Sequence, residues 1–282
     1  MALTGAIDEI ARAKVNLALH VLGRRTDGYH LLDSIVLFAD LCDRLSFSRA
    51  ETNSLAVSGP CAAGLSDADD LILRAQEAMA RAFGPLIPNI AVRLEKNIPL
   101  ASGLGGGSAD AAATLRALCR FAGLESSSRA VQELASSLGA DVPVCLASSP
   151  ARMRGIGELI EPLPDFPRLN VVLANAGPAV STAEVFAAVG LNPGETGHPS
   201  LTFPFAFETS RNDLTPAAVK RVPVIAAVLD ALKALTSVRF VRMSGSGGTC
   251  FAVFDTMADA ERAAAELASR HPDWWTRRAL LS

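Results

Sequence analysis

Apolar and polar residues alternate through residues 11–22, Ala-Arg-Ala-Lys-Val-Asn-Leu-Ala-Leu-His-Val-Leu, which predicts a strand. Val15, Leu17, Leu19 and Val21 fall on one face, and Lys14, Asn16, Ala18 and His20 on the other. Residues 23–30 read as a charged turn pivoting on Asp27-Gly28, with strands following over 34–39 and near 45–47. The spacing of Leu71, Ile72, Ala75, Met79 and Ala82 predicts a helix over 69–83, stopped by Gly84-Pro85. Alternation returns over 90–95. A second helix then presents Ala111, Ala112, Leu115, Leu118 and Phe121 as its buried stripe, with Ser108 as N-cap and Gly123 closing it. A third, over 128–138, ends at Gly139. Pro143 biases Val142 away from helix, which places Asp141 at or just beyond a junction.

The proline-rich, aperiodic stretch 162–167 is the best domain boundary. Beyond it the pattern predicts a strand at 169–174, a helix near 182–189 and a Gly/Pro/Ser-rich loop over 190–200. Helices at 216–221 and 224–235 come next, then a strand at 238–242, a glycine turn at 244–248, a strand at 249–254 and a helix at 258–270. Two α+β domains, 1–160 and 161–282, summarise the chain.

Composition narrows the function classes. Half of the 282 residues are hydrophobic and a fifth charged, the proportions of an ordinary globular protein. A net charge of −3 argues against nucleic acid or anionic membrane as partner. Five scattered cysteines without a C-x-x-C pair read as reduced core thiols, and the four histidines lie too far apart for a metal motif. The first nine residues carry acids and lack an apolar signal core, and no run approaches the ~20 apolar residues of a membrane span. A cytoplasmic location is the expectation.

The segment Pro99-Leu-Ala-Ser-Gly-Leu-Gly-Gly-Gly-Ser-Ala109 stands between a strand and a helix, the arrangement of an anion cradle. A helix N-terminus carries unsatisfied N–H groups and about half a positive charge, and glycine lets the backbone approach a phosphate closely. No Gly-Lys-Ser/Thr follows, so it is not a Walker A loop. After Gly103-Leu-Gly105 the third glycine of the dinucleotide fingerprint is replaced by Ser108, which removes the Rossmann reading.

Five segments then fit one pattern. Pro99-x-x-x-Gly103-Leu-Gly-Gly-Gly-Ser108 resembles the phosphate loop of the GHMP kinase superfamily, which includes galactokinase, homoserine kinase and mevalonate kinase. Met243-Ser-Gly-Ser-Gly-Gly248 resembles its C-terminal glycine motif. Ala13-Lys-Val-Asn16, Arg25-Thr-Asp-Gly-Tyr-His30 and Gly139-Ala-Asp-Val-Pro143 resemble the branch acting on a cytidine-diphosphate-linked methylerythritol in the non-mevalonate isoprenoid pathway. The blocks keep the family's order from residue 13 to about 254.

The resemblance implies a two-domain α+β fold, with an N-terminal ribosomal-protein-S5-like α/β domain and a C-terminal ferredoxin-like α+β domain. It implies transfer of the γ-phosphoryl of ATP, with Mg²⁺, to the 2-hydroxyl of that small-molecule substrate, by a monomer or homodimer with no nucleic-acid or membrane partner. Residues Pro99, Leu100, Ala101, Ser102, Gly103, Leu104, Gly105, Gly106, Gly107, Ser108 and Ala109 are thereby expected to hold ATP. Asp141 takes the position of catalytic base and Lys14 of its partner, while Asn16, Tyr29, His30 and Phe186 take those of substrate contacts. Each also has a plainer reading. Lys14 taken alone is a solvated strand lysine, Asp141 a polar residue at a helix end, His30 a turn cap, and Phe186 a core residue beside Val185 and Val189. Tyr29, the only tyrosine, sits in a charged turn where no core demands it. Ser108-Ala109 supplies one hydroxyl where the superfamily loop often has two, Asp110 offers a carboxylate to a metal, and Asp70 stands where an adenine-contacting asparagine is expected.

Overall fold

The computed structural model describes residues 5–65, 71–197, 199–202, 205–207 and 210–282. Contacts divide the chain into two units. One takes Met1–Ala13, Leu41–Leu100 and Gly105–Ser148; the other takes Lys14–Asp40, Ala101–Leu104 and Ser149–Ser282. The divisions at 13/14 and 40/41 fall inside the two long strands β1 (Ile7–Arg24) and β2 (His30–Arg49), which pair with each other.

In the first unit, the second half of β2 pairs antiparallel with β4 (Ile90–Glu95), and β4 pairs parallel with β3 (Ser54–Ser58). Four helices accompany this sheet: α1 (Leu71–Phe83), α2 (Gly106–Ala122), α3 (Arg129–Leu138) and α4 (Val142–Ala147). α2 is the hub, meeting the other three. Its alanine-rich flank lets them approach closely, and the whole predicted stripe from Ala111 to Phe121 is buried. Gly123 closes it in the left-handed region at φ 69°, as expected.

In the second unit the sheet order is β10 (Trp275–Leu281), β7 (Leu169–Asn175), β9 (Cys250–Phe254), β8 (Val238–Met243), all neighbours antiparallel. β10 also touches the first half of β2 at Leu281 and Ala39. That half of β2 carries β5 (Ala151–Gly155), which in turn carries β6 (Leu159–Pro162). Helices α5 (Thr182–Ala187), α6 (Thr215–Arg221), α7 (Val224–Lys233) and α8 (Met257–Arg270) enclose a core that includes Leu19, Val172, Leu214, Val228, Phe254 and Leu267. No helix among the described residues is long and apolar enough to cross a membrane.

Several expectations are corrected. The strands predicted at 34–39 and 45–47 are one strand, because the polar interruption between them, Asp43, is buried at 0% exposure with its own partners. α2 starts at Gly106 with Gly105 as N-cap at φ 64°, so Ser108 lies in the first turn and does not cap it. Val142 opens α4 even though a proline follows, since a proline in the first turn of a helix has no N–H to lose. The predicted start of the first helix at Asp69, and Asp70, lie outside the described residues.

Candidate functional site

In the unit holding residues 14–40, Lys14 and Asn16 share a strand face as their spacing requires, yet both are 3% exposed. A buried ammonium needs oxygen around it. Lys14 Nζ donates to Asn16 Oδ1 at 2.9 Å, Asn16 Nδ2 donates to Ser34 Oγ at 2.8 Å, and Ser34 Oγ donates to the carbonyl of Ala18 at 2.6 Å. This relay fixes the Asn16 amide with its oxygen toward the lysine. The solvated-lysine reading of Lys14 is therefore excluded.

The same unit anchors the middle of the glycine segment. The carbonyl of Ala101 accepts from Val180 N–H at 3.1 Å, that of Ser102 from Thr249 N–H at 2.9 Å and that of Leu104 from Lys14 N–H at 2.8 Å. The Gly103 carbonyl accepts from Ser244 Oγ at 2.9 Å. Four successive carbonyls are thus tied back, two of them to residues 244–249. Gly103 sits at φ 76°, and a Cβ there would stand 2.4 Å from the Ser244 carbonyl oxygen and 2.6 Å from that of Gly247. The two glycine motifs, about 140 residues apart in sequence, touch backbone to backbone. Asn212 Nδ2 braces the second motif by donating to the carbonyls of Met243 and Gly245, each at 2.8 Å. Thr182 and Ser246 pair their hydroxyls at 2.8 Å.

Two of the three expected ring-holding residues meet in this unit. His30 and Phe186 have ring centroids 5.1 Å apart, tilted by 34°. Burial, and then the charge of Arg24, lower the His30 pKa, which favours the neutral imidazole; its Nε2 is buried without a hydrogen-bond partner. Phe186 lies half-buried against the helical core, so it packs as well as faces His30. Tyr29 is 60% exposed, its ring held out by a turn in which Arg25 N–H donates to the Tyr29 carbonyl and Tyr29 N–H to Asp27 Oδ1.

The other unit holds the remaining pieces. Gly105 to Ser108 form the N-terminal end of α2, whose 17 residues present a full helix dipole there. Asp141 is the half-buried residue before α4, in helical geometry at φ −88°, with its carbonyl accepting from Cys145 N–H. Asp110 does not offer its carboxylate outward. It is 4% exposed and its Oδ2 accepts from Lys96 Nζ at 2.6 Å. Lys96 also donates to Asp43, and this cluster went unseen in sequence. Asp43, one of three acids along β2, and a lysine just ahead of the glycine segment were its only signals.

Family models match in two places: the GHMP kinases N terminal domain over residues 70–149 and the GHMP kinases C terminal model over 198–273. A 4-diphosphocytidyl-2-C-methyl-D-erythritol kinase of Rhizobium etli (strain CIAT 652) is 46% identical over 276 residues, covering 95% of this chain and 93% of its own. One from Paramagnetospirillum magneticum (strain ATCC 700264 / AMB-1) is 46% identical over 273 residues, covering 94% and 95%. A crystal structure of 4-(cytidine 5'-diphospho)-2C-methyl-D-erythritol kinase superposes with a TM-score of 0.81 at 34% identity, over 98% of this chain and 99% of the other.

Proposed function

We infer what these residues do from the premise that the chain belongs to the GHMP kinase family, among its 4-diphosphocytidyl-2-C-methyl-D-erythritol kinases. It is a small-molecule kinase that uses ATP to phosphorylate 4-diphosphocytidyl-2-C-methyl-D-erythritol, a step of the methylerythritol phosphate route to isoprenoids. The observation that carries the finer reading is the tied-back glycine segment. The carbonyls of 101–104 are held by Val180, Thr249, Ser244 and Lys14, and at the start of α2 the N–H groups of Gly106, Gly107 and Ser108 precede the first helical bond, from Ala109 N–H to the Gly105 carbonyl, and can receive phosphate oxygens.

Phosphoryl transfer passes through a loose transition state, so positioning and charge stabilisation supply most of the rate. Asp141 takes the proton from the 2-hydroxyl of the substrate as that oxygen attacks the γ-phosphorus and the bond from phosphorus to the β–γ bridging oxygen breaks, releasing ADP. Lys14, oriented by Asn16, stabilises negative charge on the transferring group. His30 and Phe186 take the cytosine ring, with the unpartnered Nε2 of His30 facing a pyrimidine edge and Tyr29 stacking from the solvent side. Mg²⁺ enters bound to the phosphates of ATP, as a hard ion that keeps much of its water. Among the described residues no group of three His, Cys, Asp or Glu side chains is arranged to hold a metal ion. The enzyme works in the cytoplasm as a monomer or homodimer with small molecules as its only partners.

Steady-state kinetics with Mg-ATP test the assignment of the base. Asp141→Asn should lower kcat by about 10²-fold or more, the usual worth of a positioned base, while ATP affinity stays close to wild type. Turnover within a few-fold of wild type would retire Asp141 as base. Equal activity on the polyol lacking its cytidine would overturn the roles of Tyr29, His30 and Phe186.

A further inference from the structure

Beneath the start of α2, two carboxylates converge on one buried ammonium. Lys96 Nζ donates to Asp110 Oδ2 at 2.6 Å and to Asp43 Oδ2, and the three side chains are 1%, 5% and 0% exposed in the order Lys96, Asp110, Asp43. Asp43 is saturated, because its Oδ1 also accepts from the backbone N–H of Asn97 at 2.5 Å and of Ile98 at 2.9 Å. Asp110 is not: its Oδ1 is buried without a partner. The ammonium lies directly against the cradle, since a Cβ on Gly106 would stand 3.1 Å from Lys96 Nζ.

With every group ionised this cluster carries a net charge of −1 in a buried site, which is costly. One added proton makes it neutral. Three donors already occupy the Asp43 carboxylate, whereas Asp110 Oδ1 has no partner, so the proton goes to Asp110. Burial pushes the Asp110 carboxyl up to about 7, with Lys96 opposing and Asp43 adding to the rise. Lys96 stays charged, because the two carboxylates outweigh its burial. Other charged groups on the surrounding elements stand apart. Arg74, Glu77 and Arg81 of α1, Arg129 and Glu133 of α3, Arg44 and Arg49 of β2 and Arg93 and Glu95 of β4 are exposed. Arg116 and Arg120 of α2 are paired with Glu9, and Asp141 lies half-buried ahead of α4.

We propose that the Asp43–Lys96–Asp110 cluster is a proton-linked brace for the phosphate cradle, with Asp110 the positioning residue whose charge tunes how tightly Gly105–Ser108 hold the nucleotide phosphates. This rests on the reading of that loop as the ATP site. Neutral Asp110 leaves the Lys96 charge balanced by Asp43 alone under an anion-binding helix end. Ionised Asp110 adds a negative charge about one helical turn, ~6 Å, along α2 from Gly106. A unit charge ~10 Å from the phosphates at an effective permittivity of ~20 changes their affinity roughly tenfold. The coupling is reciprocal, so bound phosphate favours the proton on Asp110 and nucleotide binding near neutrality takes a proton up.

Calorimetric titration of wild type and Asp110→Asn with Mg-ADP, at pH values on either side of about 7 and in two buffers of different ionisation enthalpy, tests this. The nucleotide's own titration is common to both proteins and cancels in the comparison. Wild type should lose roughly tenfold more affinity than the variant as pH rises, and only wild type should show the additional buffer-dependent heat of proton uptake. Parallel pH profiles with equal proton uptake overturn the brace while leaving the cradle reading intact. A folded variant that binds weakly at every pH also overturns it, giving Asp110 a structural role alone. If neither protein binds Mg-ADP, the cradle reading fails and the brace with it.

Discussion

Gly103→Ala should unfasten the phosphate loop from the second glycine motif. The added methyl would start 2.4 Å from the Ser244 carbonyl oxygen and 2.6 Å from that of Gly247, both backbone atoms that cannot rotate away. It would also hold alanine at φ 76°, a left-handed conformation costing about 1–2 kcal/mol for a residue with a Cβ. Relieving the clash requires a backbone shift approaching 1 Å. That is enough to break one or two of the bonds from Thr249 N–H, Ser244 Oγ and Lys14 N–H to the carbonyls of 102–104, each worth about 1 kcal/mol net. The sum is a loss of about 2–4 kcal/mol, at the upper end of what single substitutions cost. Denaturant unfolding measures the stability, and the KM for ATP below the unfolding transition should rise with it. The control is Gly107→Ala, whose Cβ would meet only Leu71 Cδ1 at 3.6 Å inside α2. Alanine is a better helix former than glycine and meets no clash in the first turn of α2, so that variant should be neutral or slightly stabilised. A Gly103→Ala protein within 1 kcal/mol of wild type and unchanged in ATP KM would refute the tight backbone crossing.

Other outcomes follow from the same geometry. Phe186→Ala removes the ring facing His30, a contact worth about 0.5–1.5 kcal/mol beyond burial; the KM for the cytidine-linked substrate should rise while that for ATP does not, as steady-state kinetics will show. For Asp33, burial alone would raise the carboxyl pKa. The bidentate Arg152, at 2.8 and 2.6 Å, with Ser200 Oγ and Leu201 N–H, reverses this and holds it below the ordinary value of 3.8. Its contribution is complete above that value and lost as pH falls through the depressed one, so Asp33→Asn should shrink the acid limb of a stability–pH curve and speed proteolysis near residues 199–202. Asp110 behaves oppositely. With its carboxyl raised from 3.8 to about 7 in the folded protein, the native state holds the extra proton between those values. Wild-type stability should therefore fall relative to Asp110→Asn across that window and level off above it, as melting temperatures against pH will report.

How much of this was legible in the sequence depended on whether a residue's partners were local. The α2 stripe, the Gly123 stop and the Lys14–Asn16 face follow from spacing alone, and the structure has them. β2 was split because Asp43 interrupts its apolar run, and nothing nearby in sequence announces that Lys96 and the amides of Asn97 and Ile98 will satisfy it. β3, whose residues alternate between exposed and half-buried, never built an apolar run strong enough to predict. Pro143 misled because the rule against helix before proline weakens in a first turn, where α4 begins. Lys14, Asn16, Tyr29, His30 and Asp141 are singled out by motif. The burial of Lys14 and the pairing of His30 with Phe186 are long-range facts that motif spacing does not carry. The Lys96 cluster links Asp43 of β2, Lys96 just past β4 and Asp110 of α2, and periodicity within any one segment is silent about it.

The position of β10 bears on how the chain comes off the ribosome. It follows the other strands among the described residues, yet it lies inside its sheet, bonded along its length to β7 on one side and meeting β2 on the other. Until residues 275–281 emerge, the nascent sheet has a gap where an interior strand belongs, with the apolar edge of β7 open to pair with another chain. The sheet of this unit is therefore complete only once residues 275–281 are seated, and until then its open strand edge is prone to aggregation.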